Sequence, residues 1–305
     1  MSEAAPLLPE PAKVFYWVPF SREPKANMVA SFEIARAEAA DLGMARYATA
    51  KWDGFSGSIE TKRNRAVDMF LETDAEYLMM IDDDMDFRPD LKAIAKLIAA
   101  IKDTDADAVA PLMVRRDPPH YVCYNEKRYV PDDLKRAFRA HRNDEFIECF
   151  GHLGTGCILI NRRVFSKIQR PWFKTEMTDR CRVCLTDPAN EVKADCKQCG
   201  GTGTDNYGHW ICAGEDTYFS RKIVDAGGKI VLAAGVIVGH IGEICLTVID
   251  AVRVGDPVGY AEVVLKRHDA IQEAIKKNAK PELEVPGNGA FTKAPDQKEL
   301  VIAHR

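Results

Sequence analysis

The chain has 305 residues, enough for one large α/β domain with additions or for two small domains. Apolar residues make up 46% and charged residues 29%, an ordinary globular balance with ample material for a core. The net charge of −4 gives no global nucleic-acid signal, and no apolar run approaches the roughly 20 residues that span a bilayer. Residues 1–12 lack a basic stretch followed by an apolar one, so they read as a flexible leader and not a signal peptide. The expectation is a soluble, cytoplasmic protein.

In chain order, KVFYWV at 13–18 predicts a buried strand. Residues 27–42 predict a helix stopped by Gly43, and 45–50 a second strand. A helix over 58–73 leads to the strand EYLMMID at 76–82. PDLKAIAKLIAAIK at 89–102 has apolar residues at helical spacing with Pro89 near its start. DAVAPL at 107–112 predicts another strand. Residues 113–150 read as charged loop. CILINRRVFSKI at 157–168 reads as a strand and then a helix. GEDTYFSRKIVDAGG at 214–228 predicts a capped helix, KIVLAAGVIVGH at 229–240 a strand, and 258–279 a helix. Strands alternating with helices point to an α/β fold with a mostly parallel, doubly wound sheet. There are no internal repeats.

The strand at 76–82 ends in Asp82, Asp83 and Asp84. Open α/β sheets place ligands at the carboxyl ends of their strands. Alternation along a strand sends Asp82 and Asp84 to one side and Asp83 to the other. Two converging carboxylates seat a hard divalent cation, Mg²⁺ or Mn²⁺, and such an ion binds a diphosphate. A solvated acidic turn gives the same letters, but the strongly apolar strand before it argues for the cation.

Nine cysteines are present, an odd total that argues against a disulfide framework in a cytosolic chain. Four are grouped as Cys181, Cys184, Cys196 and Cys199. Two CxxC pairs separated by eleven residues are a strong structural Zn²⁺ signal. Four thiolates close a tetrahedral shell and leave no open catalytic position. A polar segment with little apolar material needs such an ion to fold. CxxCGGTG at 196–203 is similar to the zinc-binding repeats of certain chaperones.

Together these segments resemble the GT-A fold glycosyltransferases, in a family 2-like arrangement. An apolar strand ending in D-x-D is joined by KRNRAV at 62–67, similar to the family's RN-x-A helix. GHLGTGCILINRRVF at 151–165 resembles its glycine-containing acceptor loop and following strand. GEDTYFSRKIVDAGG resembles its ED helix, and VGHIG at 238–242 its histidine segment. The likeness spans roughly residues 13 to 245. It implies a Rossmann-like GT-A core with a metal-dependent, hexosyltransferase-like activity on a UDP- or GDP-linked sugar donor.

The resemblance assigns Asp84 and His240 to Mn²⁺ or Mg²⁺, with Asp82 on the metal or the nucleotide ribose. Asp83, between them, is grouped with the nucleotide-binding residues. Arg63 is placed near the diphosphate or nucleobase; a solvated basic face shared with Lys62 and Arg65 is the competing reading. Pro19 and Phe20, with Ser21, wall the nucleotide pocket by their position after the first strand. Asp216 is assigned as general base and Glu215 as acceptor contact, which fits an inverting transfer; a retaining one shares the fold without needing the base. Acids in a first helical turn also serve the helix dipole alone.

The implied organisation is a leader at 1–12, a nucleotide-sugar-binding core at 13–171 and a zinc-binding insertion at 172–210. Acceptor and catalytic elements follow at 211–249, then a helical extension at 250–280 and a mobile tail at 281–305. The segment 115–142 carries eight Lys and Arg against four Asp and Glu, interleaved with aromatics. Such a segment beside a zinc module suits DNA, as in phage-type enzymes that glycosylate hydroxymethylated bases. A solvated helix and loop is the plainer reading of it. Two other functions compete: a nucleotidyltransferase on a related fold, and a non-enzymatic zinc-ribbon nucleic-acid-binding protein. The loop PFSREPK lacks the glycine-rich character expected of the first, and the intact aspartates, ED pair and His240 weigh against the second.

Overall fold

A computed structural model describes residues 10–20, 24–46, 50–114, 122–125, 134–178, 181, 194–197, 199–204, 210–241 and 245–246. The predicted leader, apart from its last three residues, lies outside them. So do Cys184, the helix at 258–279, and the 250–280 and 281–305 segments.

The main sheet has eight strands. β1 (Ala12–Pro19) pairs in parallel with β2 (Ala45–Arg46) at its start, β3 (Lys51–Asp53) at its end, and β4 (Tyr77–Ile81) on the other side. β8 (Cys157–Asn161) runs antiparallel between β4 and β6 (Ala108–Leu112). β11 (Ile230–Ile237) is parallel to β6, and β7 (Phe146–Cys149) closes the edge antiparallel to β11. The sheet is therefore mixed. It is Rossmann-like on the β3–β1–β4 side, with antiparallel strands entering at β8 and β7.

Alternation along β1 sends Phe15 and Tyr16 to opposite faces, and each starts an aromatic layer. Tyr16 meets Phe32 of α1 (Ala26–Asp41), which meets Trp52 and Phe87. Phe15 meets Phe70 of α2 (Ile59–Leu71), which leads through Phe165 to Trp172 and Phe219. β4 is buried at every position, as expected of a strand covered on both faces. α3 (Ala93–Asp103) buries Ile94, Leu97, Ile98 and Ile101, the spacing of one helical face.

Helix ends follow from local chemistry. Gly43 adopts φ +67°, which glycine accepts at little cost, and its N–H donates to the Ala40 carbonyl while Met44 N–H donates to that of Ala39. The last helix described, α6 (Glu215–Asp225), ends in the same way through Gly227.

Several expectations need correction. The strand expected at 45–50 is two short strands, β2 and β3, with 47–49 outside the described residues. The stretch expected to be loop over 113–150 contains α4 (Leu134–Arg142) and β7. α4 buries only Ala137 and Ala140, and β7 is four residues long, so neither leaves a strong apolar pattern. The helix after β8 is a single turn, α5 (Val164–Lys167). The strand expected over 229–240 breaks at Val238. β12 (Gly239–Ile241) leaves the main sheet for a small antiparallel one with β5 (Met85–Asp86) and β13 (Cys245–Leu246).

The leader's last residue, Ala12, already belongs to β1. Trp172 and Phe173 belong to the core, because Asn64 Oδ1 accepts both their N–H groups, at 2.9 and 3.2 Å. β9 (Glu176–Thr178) pairs antiparallel with β10 (Trp210–Ala213), so these two strands bracket the chain that carries the cysteine cluster.

Candidate active site

The parallel register aligns three strand ends. Pro19 of β1 pairs with Asp53 of β3, and β4, on the other side of β1, runs directly into Asp82. This carboxyl edge is where open α/β sheets bind ligands. Asp82 N–H donates to the Gly156 carbonyl at 2.7 Å, and Met85 N–H donates back to Asp82 at 3.2 Å. The aspartates thus occupy a tight turn between β4 and β5.

Pairing of β5 with β12 sets His240 opposite Met85. Ile241 N–H donates to the Asp84 carbonyl at 2.6 Å. His240 Nε2 consequently lies 3.6 Å from Asp84 Oδ1, although the residues are far apart in sequence. His240 Nδ1 lies 2.8 Å from the Val114 carbonyl, which only accepts, so Nδ1 carries a proton and Nε2 is the nitrogen turned to Asp84, where a bound cation would take the place of its proton. Burial lowers the His240 pKa, but the hydrogen bond and charge of Asp84 outweigh it and hold it above the usual histidine range. A carboxylate oxygen and an imidazole nitrogen at this separation, with the other ring nitrogen held by a carbonyl, fit a shared divalent cation.

Asp82 turns elsewhere. Arg63 Nη2 lies 3.1 Å from both of its oxygens, Arg63 Nη1 donates to the Thr155 carbonyl at 2.7 Å, and Arg63 Nε is 3.4 Å from Glu215 Oε1. Burial pushes the Asp82 carboxyl up; Arg63 opposes this and the nearby Asp84 charge adds to it, leaving the pKa raised. A Cβ on Gly156 would approach Asp82 Oδ2 to 3.3 Å, so this glycine leaves room for the carboxylate.

The solvated-face reading of the basic cluster is corrected for two of its three members. Arg63 and Lys62 are buried, and Lys62 Nζ donates to the Phe20 carbonyl at 3.1 Å. Arg65 is half exposed, 3.4 Å from Asp53 and with its guanidinium 4.6 Å from the Phe55 ring centroid. Arg63 is engaged by two carboxylates and a carbonyl.

Pro19 and Phe20 stand on the carboxyl edge, and Phe20 N–H donates to the Asp53 carbonyl at 3.0 Å. Ser21 lies outside the described residues. Asp83, next in the turn, feels the charges of Lys25 and Lys62. Burial, then Asp84 and Asp82, raise its pKa against those two lysines. Asp86 is buried and paired with Arg88, at 2.6 Å from Nη2.

Glu215 and Asp216 open α6 after Gly214. Glu215 faces Arg63. Burial raises its pKa, Arg63 opposes, and Asp216 adds to the rise. Asp216 Oδ1 accepts the Thr217 N–H at 2.6 Å, and a Cβ on Gly214 would sit 3.0 Å from that oxygen. The loop 151–156 lies against α6, with Leu153 N–H donating to Ser220 Oγ at 3.1 Å.

Between β9 and β10, Cys181, Cys196 and Cys199 are buried, and their sulfurs all lie within 4.8 Å of one another. Cys181 Sγ and Cys196 Sγ are 3.7 Å apart, close to the edge of about 3.8 Å that ~2.3 Å zinc–sulfur bonds impose on a tetrahedron. Burial resists ionisation of Cys199, but the Gly203 N–H and the neighbouring sulfurs pull its pKa down to about 6. The cluster can hold a metal ion. Of the basic 115–142 segment, residues 122–125 and α4 are described, and Arg136 of α4 is paired with Glu145 at 2.7 Å.

Two residues escaped the sequence reading. Asp53 is buried at the end of β3, with Trp17 Nε1 at 3.3 Å from Oδ2 and Phe55 N–H at 3.0 Å from Oδ1. The WDG turn after an apolar stretch was its available signal. His152 lies within the glycine-containing loop, with Nδ1 3.0 Å from Thr217 Oγ1.

No family model matches the chain, and no curated protein matches it. Among solved structures it is similar to the A197 protein from STIV, at 15% identity over 75% of this chain and 86% of that one, with a TM-score of 0.44. It is also similar to a CMP:2-keto-3-deoxy-manno-octonic acid synthetase complexed with CTP, at 10% identity over 72% and 89%, with a TM-score of 0.30. These are likenesses of overall shape and bear on neither substrate nor chemistry. Among the described residues, no helix is long and apolar enough to cross a membrane.

Proposed function

We propose that this chain is a metal-dependent glycosyltransferase that moves a sugar from a UDP- or GDP-linked donor to an acceptor hydroxyl. The observation that carries the reading is the approach of His240 Nε2 to Asp84 Oδ1, 3.6 Å, at the carboxyl edge of the β3–β1–β4 strands. Asp84 and His240 hold Mn²⁺ or Mg²⁺, a mixed oxygen and nitrogen pair that suits either ion. Bound there, the ion supplies Lewis-acid neutralisation of charge on the departing diphosphate.

The chain's own residues do the rest. Pro19, Phe20 and Asp83 border the nucleotide. Arg63 holds Asp82 in place beside the metal pair and fixes Glu215 beside the acceptor. Asp216 takes the acceptor proton as the acceptor oxygen bonds to the anomeric carbon. The bond from that carbon to the diphosphate oxygen breaks, and its electron pair leaves with the nucleoside diphosphate. Attack from the face opposite the leaving group inverts the anomeric centre.

Cys181, Cys196 and Cys199, with Cys184 as fourth ligand, hold a structural Zn²⁺ that orders the inserted segment. DNA bearing hydroxymethylated bases is the first acceptor to test, on the strength of the basic 115–142 segment and the zinc module. The functional test is a panel of nucleotide sugars and nucleoside triphosphates incubated with the protein and Mn²⁺. Release of UDP or GDP from a sugar donor is expected. Pyrophosphate release from a triphosphate would replace the reading with nucleotidyl transfer. Tight DNA binding without turnover of any donor would replace it with a binding role.

A further inference from the structure

Asp216 is in contact with more than its own helix. His152 Nδ1 lies 3.0 Å from Thr217 Oγ1 and 3.7 Å from Asp216 Oδ2. Thr217 Oγ1 lies 3.4 Å from Asp216 Oδ1, the oxygen that also accepts the Thr217 N–H. Thr217 and Ser220 share one face of α6, being three residues apart. Ser220 takes the Leu153 N–H while Thr217 meets the His152 ring, so two successive loop residues are fixed to one helix face. The Asp216 and His152 side chains are 28% and 21% exposed, open enough to meet an acceptor yet held on their inner sides.

We propose that His152 is the positioning residue for Asp216, acting through the Thr217 hydroxyl. His152 Nδ1–H donates to Thr217 Oγ1, whose own hydrogen turns to Asp216 Oδ1. Oδ1 is then engaged by both the N–H and the hydroxyl of Thr217, which sets the carboxylate plane. Oδ2 has no hydrogen bond among the described residues and is left to take the acceptor proton. A two-donor clasp on one oxygen is what a base needs if the other oxygen is to meet a hydroxyl in a fixed direction. This inference rests on the assignment of Asp216 as the base.

The test is steady-state release of nucleoside diphosphate with Mn²⁺ and the sugar donor that the wild-type protein turns over. His152→Leu is expected to lower kcat about a hundredfold while KM for the donor stays within about twofold. Thr217→Val is expected to fall as far. His152→Asn, whose side-chain amide nitrogen sits where Nδ1 does, is expected to recover at least about tenfold of the loss. Wild-type kcat in His152→Leu, a loss confined to KM, or a His152→Asn no better than the leucine variant would each overturn the positioning role. If His152→Leu fails to fold by circular dichroism, the contrast between His152→Asn and Thr217→Val decides. A wild-type protein that releases no nucleoside diphosphate from any sugar donor would instead overturn the glycosyltransferase reading, and this inference with it.

Discussion

Arg63 holds Asp82 from one side, with Nη2 3.1 Å from both carboxylate oxygens. The same guanidinium reaches the Thr155 carbonyl and Glu215. One buried cation therefore ties together the aspartate turn, the 151–156 loop and α6. Without it, two acidic groups would face each other with no counter-charge. Arg63→Met is expected to destabilise the protein by about 3 kcal/mol, the low end for breaking a buried pair, since both partners keep some solvent contact. Arg63→Lys restores the charge but not the planar fork, and is expected to recover only part of that. Urea unfolding measures both; an unchanged midpoint for Arg63→Met would contradict the role.

Asp107 is a buried carboxylate just before β6, away from the site. It accepts from Lys167 Nζ at 2.8 Å, Arg163 Nε at 2.8 Å and the Lys229 N–H at 2.8 Å. Burial alone would raise its pKa, but these donors outweigh it and hold it below the usual carboxylate range. Its stabilising contribution is then fully present above the unfolded pKa of about 3.9 and is lost as pH falls through the lower folded value. Asp107→Asn is expected to be less stable than wild type at pH 7, and the gap is expected to shrink as pH falls below about 4. Denaturant unfolding between pH 7 and pH 3 checks the sign; a gap that widens on acidification would refute it.

The cysteine cluster makes a compositional prediction. Purified protein is expected to carry close to one zinc per chain by elemental analysis, and Cys199→Ser to lose most of it. Cys184→Ser is expected to lose as much, which tests the fourth ligand. A full metal load in Cys184→Ser would show that the three described sulfurs suffice.

The elements legible in the sequence are those written as local pattern. β4 and α3 announce themselves by burial that is continuous in one and periodic in the other, and Gly43 by the left-handed turn it must make. Gly214 before two acids marked the start of α6. The rest depended on tertiary pairing. Nothing local says that the 229–240 stretch breaks at Val238, because the break exists so that β12 can reach β5. Lys62, Arg63 and Arg65 look equally solvent-bound in sequence, and only the placement of α2 against the aspartate turn buries the first two. His152 was hidden because its partner, Thr217, lies 65 residues away. The bounds and buried face of α4 are not legible because its buried positions are alanines, which carry little hydrophobic signal.

In the proposed function, Asp84 and His240 act as one cation site serving a nucleotide-sugar donor. The most direct test is nucleoside diphosphate release as a function of Mn²⁺ concentration, in wild type and in Asp84→Ala and His240→Ala, with folding checked by circular dichroism. The expected result is Mn²⁺-dependent release of UDP or GDP by wild type that falls at least about 10²-fold in each variant while the fold persists. Metal-dependent turnover that survives both substitutions would contradict the claim.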